Sequence, residues 1–253
     1  MDRRVAVAVC LEGGAVFLGR HGGALVASAT VAAFLWVLLY QLGGQQNGYT
    51  GVAALVAVLY GLYWFRGAQA ALPVEPPVRR TDRGLLSRAL TWALVTLRSL
   101  TVSALIIAVL TIPTVALAYA RLASLDANTP EAATQAVQWA LPVAAAIGSP
   151  LLIRLYLYYL ALASGRQDLG LADVWQWGRG NSLRVLLLLA APLVPALWLK
   201  NALWDLDQGW GLAAATFHYM GALVFFMALA LAAAGMARAL AAMSEPALVI
   251  RRR

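Results

Sequence analysis

The sequence has 253 residues, of which 62% are apolar and 12% charged, with a formal charge of +8. A soluble domain is about 45 to 50% apolar and about 25% charged, so a water-soluble fold is excluded. The basic charge has no nucleic-acid motif beside it, which excludes a nucleic-acid partner and leaves topology and anionic headgroups as its explanation.

A hydrocarbon core about 30 Å thick is crossed by about 20 apolar residues in helix. Stretches free of Arg, Lys, Asp and Glu run over 21–65, 99–120, 132–153, 185–199 and 208–237. The first would extend roughly 68 Å as one helix, about twice a single crossing. Gly43-Gly44-Gln45-Gln46-Asn47-Gly48 breaks it, since clustered Gly and Asn favour turns and the amides favour water. Six spans are predicted, near 23–42, 50–65, 101–120, 136–155, 184–200 and 216–237. In lipid every backbone polar group needs an internal partner, and the runs lack the alternation of barrel strands. The fold class is therefore all-α: a polytopic membrane helix bundle.

The first apolar stretch is long enough to span and has no small-residue cleavage site where a signal peptide would have one, so the first helix is expected to stay attached. Three segments lead into odd-numbered spans: LEGGAVFLGRHGGALV from Leu11, LLSRALTWALVTLRSLTV from Leu85, and LADVWQWGRGNSLRVLLLL from Leu171. In the second, Leu86, Leu90, Ala93, Leu94 and Leu97 share one helical face and Ser87, Thr91 and Arg98 the other. Such amphipathic entry helices lie in the headgroup layer, with Trp92, Trp175 and Trp177 at the interface and Arg88 among phosphates. The strings GRHGGALV and GRGNSLRV run parallel, as a repeat of helix-hairpin units would require.

Between spans two and three, 67–84 carries Pro73, Pro76 and Pro77 with alternating charge and reads as an extended, exposed cytoplasmic linker. It separates an N-terminal two-span segment, 1–66, from a four-span region, 85–253, that ends in the basic tail Arg251, Arg252 and Arg253. The stretch from Trp198 to Trp210 reads as a short external interfacial helix, and the Trp and Tyr residues near span ends as an aromatic belt.

Short loops rich in Arg and Lys stay in the cytoplasm. With both ends inside, that side receives Arg20, Arg66, Arg79, Arg80, Arg83, Arg88, Arg98, Arg154, Arg166, Arg179, Arg184 and Arg238 with both termini, while Arg121 and Lys200 fall outside with Asp126, Glu131, Asp205 and Asp207. Heavy Arg, Ala and Leu usage with a single lysine fits a GC-rich bacterial genome, and so a bacterial inner membrane.

Reactive groups are few. His21 and His218 fall at opposite faces, and Cys10 is the sole cysteine and has no base near it in sequence, so neither a metal nor a cofactor is expected. There is no phosphate loop or nucleophile elbow. Ser149, before Pro150, reads as packing rather than as a nucleophile. No span carries Asp or Glu away from its ends, against ion coupling. Arg154 is the one charge able to lie deep: it either snorkels to the inner interface or grips an anionic headgroup or acidic partner. Pro113, Pro142, Pro150, Pro192 and Pro195 lie in or beside spans, where kinks are common and transporters use them.

At LADVWQWGRGNSLRVLLLL, the residues Trp175, Arg179, Gly180, Asn181 and Arg184 resemble the entry motif of an uncharacterised six-helix bacterial inner-membrane family related to the membrane domain of glycerophosphodiester phosphodiesterases. LSRALTWALVTLRSL is similar to that family's other interfacial entry, and the likeness covers about residues 85 to 240. It implies topology, not activity, because the phosphodiesterase site belongs to a separate soluble barrel.

The sequence thus points to a non-enzymatic integral membrane subunit or scaffold, engaging membrane proteins, a second copy of itself, or lipids. Arg88, Arg98, Arg154, Arg179, Arg184, Trp92, Trp175 and Trp177 are the candidate headgroup or partner contacts. The alternative is a transport permease resembling the membrane subunit of an ABC exporter, powered by a separate ATPase.

Overall fold

The computed structural model describes residues 5–43, 47–72, 85–125, 129–163, 170–205 and 212–244. Among these there are eight helices and no strand: α1 (Val7–Arg20), α2 (Gly22–Gly43), α3 (Asn47–Ala70), α4 (Leu85–Leu125), α5 (Pro130–Ala163), α6 (Leu171–Gly178), α7 (Ser182–Asp205) and α8 (Leu212–Ser244). Five stretches, Gly22–Leu39, Thr101–Ser124, Glu131–Ala163, Ser182–Trp204 and Ala213–Met243, are long and apolar enough to cross a membrane. The chain is a multi-pass helical membrane protein. The long first apolar stretch is divided where its Gly and Asn cluster lies, α2 ending at Gly43 and α3 starting at Asn47.

Two of the three entry segments form short helices of their own. α1 stops where the His21 N–H turns back to the Leu18 carbonyl at 3.0 Å and the His21 ring nitrogen Nδ1 meets the Phe17 carbonyl at 2.9 Å. α6 stops at Gly178-Arg179-Gly180-Asn181, where Gly180 takes φ 77°, a left-handed value that Gly adopts freely. Asn181 Nδ2 donates to the Trp177 carbonyl at 3.0 Å and Ser182 Oγ to the Gly178 carbonyl at 2.8 Å, satisfying the last acceptors of α6. The two turns coincide with the parallel strings GRHGG and GRGNS. The second segment behaves differently: α4 is one uninterrupted helix of 41 residues. Neither Gly nor Pro occurs between Leu85 and Ile112, so nothing there offers the chain a turn.

Two further expectations are corrected. Trp198 to Asp205 is no separate external helix but the last turns of α7, with 206–211 outside the described residues. Gly67 to Ala70 close α3 rather than opening a linker, and 73–84 lie outside the described residues.

The helices group into two compact units, Met1–Val74 with Arg184–Arg253, and Glu75–Leu183. The chain leaves the first unit within the proline-rich linker and returns inside α7, so the region after the linker is shared between the two. In the first unit α8 is the common partner of α1, α2 and α3. Its span is 56% buried, against 17–28% for the other four. Small residues make this possible: a Cβ at Gly14 would stand 3.0 Å from the Gly235 backbone nitrogen, so α1 and α8 cross nearly backbone to backbone. Aromatic rings fill the wider gaps, with Trp36 of α2 and Tyr60 of α3 packing 5.8 Å and 5.1 Å from Phe226 of α8.

In the second unit α4 and α5 pack along their length and α6 packs on α5. Ala118 buries with Ala136 and Ala140, and Val109 meets Gly148, which makes the pair antiparallel. Pro113, Pro142, Pro150, Pro192 and Pro195 all lie inside continuous helices.

Candidate functional site

Three basic side chains in the described residues sit over indole rings. Arg121 Cζ lies 5.8 Å from the Trp139 ring centre, Arg154 Cζ 4.5 Å from Trp175, and Lys200 Nζ 5.4 Å from Trp36 and 5.1 Å from Trp204. Arg121 and Lys200 are the two cations that the charge reading left on the acidic side, and Arg154 is the one it placed deepest. The negative face of an indole stabilises a cation by about 0.5 to 2 kcal/mol, more as water is withdrawn.

The tightest of these seats is Arg154 on α5. Its stem lies along Gly178 of α6, where a Cβ would come 2.8 Å from Arg154 Cγ and 3.3 Å from Nε. Nε is buried and has no hydrogen-bond partner. α6 is held at its start by Asp173, whose Oδ2 accepts from the Gly170 N–H at 2.8 Å. Val174 and Gly178 of α6 are buried, Trp175 and Trp177 half-buried, and Arg179 exposed.

The remaining expected contacts do not join this cluster. Arg98 is exposed on α4, and Arg88 and Trp92 lie outside the described side chains. Arg184 belongs to the other unit, where Nη1 donates to the Val5 carbonyl at 3.3 Å. Arg154, Trp175, Trp177 and Arg179 are thus the members of the set found on the α5–α6 pair.

Comparison with protein-family models, curated proteins and solved structures finds no match to this chain. The chemistry rests on the residues themselves.

The first unit holds a second polar cluster that the sequence reading missed. Lys200 is flanked by Trp36 and Trp204, and His218 of α8 stacks on Trp204 at 3.9 Å and 14°. Its signal was present: Lys200 is the only lysine, and Trp204 follows it by one helical turn. His21 lies beside Phe17 at the α1–α2 junction, near the other end of α8, since α1 meets α8 around Gly235, about 26 Å along the axis from His218.

Cys10 is buried in α1. Burial pushes its thiol above the usual range, and Arg238 only partly offsets this, so it stays a neutral thiol and a poor nucleophile near neutral pH. Among the described residues no group of three His, Cys, Asp or Glu comes together.

Proposed function

We propose that the chain is a non-enzymatic integral membrane subunit, crossing a bacterial inner membrane six times with both ends in the cytoplasm and α3 as the sixth crossing, and joining another membrane protein or a second copy of itself. The observation that carries this reading is on α5. Glu131, Gln135 and Gln138 recur at helical spacing on one face, and both glutamines are exposed although they lie in the apolar stretch Glu131–Ala163. Gln138 lies about 10 Å along the axis from Glu131, just inside the outer end of the span, where an amide that reaches hydrocarbon without a partner costs about 1 to 3 kcal/mol. A neighbouring helix that hydrogen-bonds it removes that cost.

The test is a photo-crosslinking residue placed at Gln138 in native membranes, with Val115 of α4, exposed and apolar, as control. A discrete protein adduct from position 138 and none from 115 is expected. Lipid adducts alone at both positions would refute the reading. For sidedness, a reporter active only outside the cytoplasm is expected to work when fused at Gln45, Ala127 or Gln208 and to fail at Val78 or Arg166.

A transport permease is the second reading, supported by the five prolines inside α4, α5 and α7. An ATPase recovered in stoichiometric amount with the chain would favour it.

A further inference from the structure

We propose that Arg154, Trp175 and Gly178 form a recessed site for the phosphate group of an anionic membrane lipid. The inference is independent of any protein partner and rests only on α5 crossing the membrane.

The depth is right. Arg154 lies about 36 Å along the α5 axis from Pro130, more than the roughly 30 Å of hydrocarbon, so a helix entering near Glu131 brings it out at the opposite headgroup layer. α6 suits the same layer, with two half-buried tryptophans and the exposed Arg179 beside them.

Among the described residues of the unit no carboxylate compensates the charge at this depth. The unit's described carboxylates are Glu131, at the far end of α5, and Asp173, which turns to the α6 N-terminus and accepts from Gly170. Among the described residues, Arg154 has no ion-pair partner. A cation removed from water normally gains a partner or stays solvated. Here one guanidinium face is covered by Trp175, and Nε is sealed against Gly178. The edge carrying the two Nη groups is what remains for a ligand, and that planar pair of donors matches two phosphate oxygens.

Gly178 is what allows this placement. Any side chain there would meet the Arg154 stem, so the absent Cβ seats the guanidinium on Trp175 rather than letting it swing into solution. A freely snorkelling Arg would need neither the glycine nor the indole.

The experiment measures binding of a fluorescent short-chain phosphatidylglycerol to the purified full chain in neutral detergent. Arg154→Gln is expected to weaken it about 10- to 100-fold, the range for a charge-assisted hydrogen bond. Gly178→Ala keeps every charge but displaces the Arg154 stem, and is expected to weaken binding several-fold, which covers the case in which Arg154→Gln does not fold. Arg98→Gln, exposed on α4, is expected to bind like the wild type. Unchanged binding in a folded Arg154→Gln, unchanged binding in Gly178→Ala where Arg154→Gln does not fold, or a loss in Arg98→Gln equal to that in Arg154→Gln would each overturn the site. Displacement of the lipid by inorganic phosphate at equal concentration would overturn the lipid as its occupant. Because no partner protein is present, the result does not depend on the crosslinking outcome at Gln138.

Discussion

Ser149 Oγ donates to the carbonyl of Ala146 at 2.9 Å, and that carbonyl is the one that Pro150, four residues further on, has no N–H to reach. The hydroxyl therefore repairs the gap the proline opens in α5, a recurrent device where no water is at hand. Ser149→Ala is expected to destabilise the chain by about 0.5 to 1 kcal/mol. In a Pro150→Ala background, residue 150 supplies its own N–H and the serine change is expected to cost nothing. Equal losses in both backgrounds, measured by unfolding in mixed micelles, would refute the repair.

Gly14 and Gly19 lie on the same short helix but in opposite surroundings. A Cβ at Gly14 meets the Gly235 backbone, while one at Gly19 meets nothing within 4 Å. Gly14→Ala is expected to lower stability by about 1 to 3 kcal/mol through overpacking. Gly19→Ala is expected to be neutral or stabilising by up to about 1 kcal/mol, through helix propensity. Thermal melts of the two variants in one detergent decide this.

Lys200 and Trp36 come from α7 and α2. Their coupling is expected to be about 0.5 to 2 kcal/mol in a double-mutant cycle of Lys200→Met and Trp36→Leu. The same cycle with Trp198→Leu, whose indole is exposed on α7, should give none. Equal coupling in both cycles would remove the indole seat as the cause.

Alkylation of Cys10 is expected to be slow at neutral pH and to rise only above the range of an ordinary thiol, because burial holds its pKa up. Arg238→Gln removes the influence that opposes burial, so the profile should move further upward. A downward shift in the rate-against-pH curve would contradict the placement of Arg238 beside Cys10.

Local punctuation made much of the fold legible. The Gly and Asn residues from Gly43 to Gly48 mark the α2–α3 break, and Gly178 to Asn181 mark the α6–α7 turn. The amphipathic pattern of the Leu85 segment was misleading as a boundary: it describes which face is apolar and says nothing about where a helix without Gly or Pro stops. The grouping of helices could not be read, since the few polar residues of the spans do not say which helices pair and the pairing is set by close approaches such as Gly14 to Gly235. Arg154 stood out in the sequence as a deep charge, but its seat is made by Trp175 and Gly178 on another helix. The Lys200 cluster likewise draws on Trp36 and His218, distant residues that no local pattern connects.

The position of α8 sets an order of events during synthesis. The shared packing partner of α1, α2 and α3 leaves the ribosome after the whole α4–α6 unit has been made. Until then the faces of α1, α2 and α3 that pack on α8, Gly14 among them, must be covered by lipid or by another protein. Quality control of this protein should therefore be most sensitive to delays late in translation.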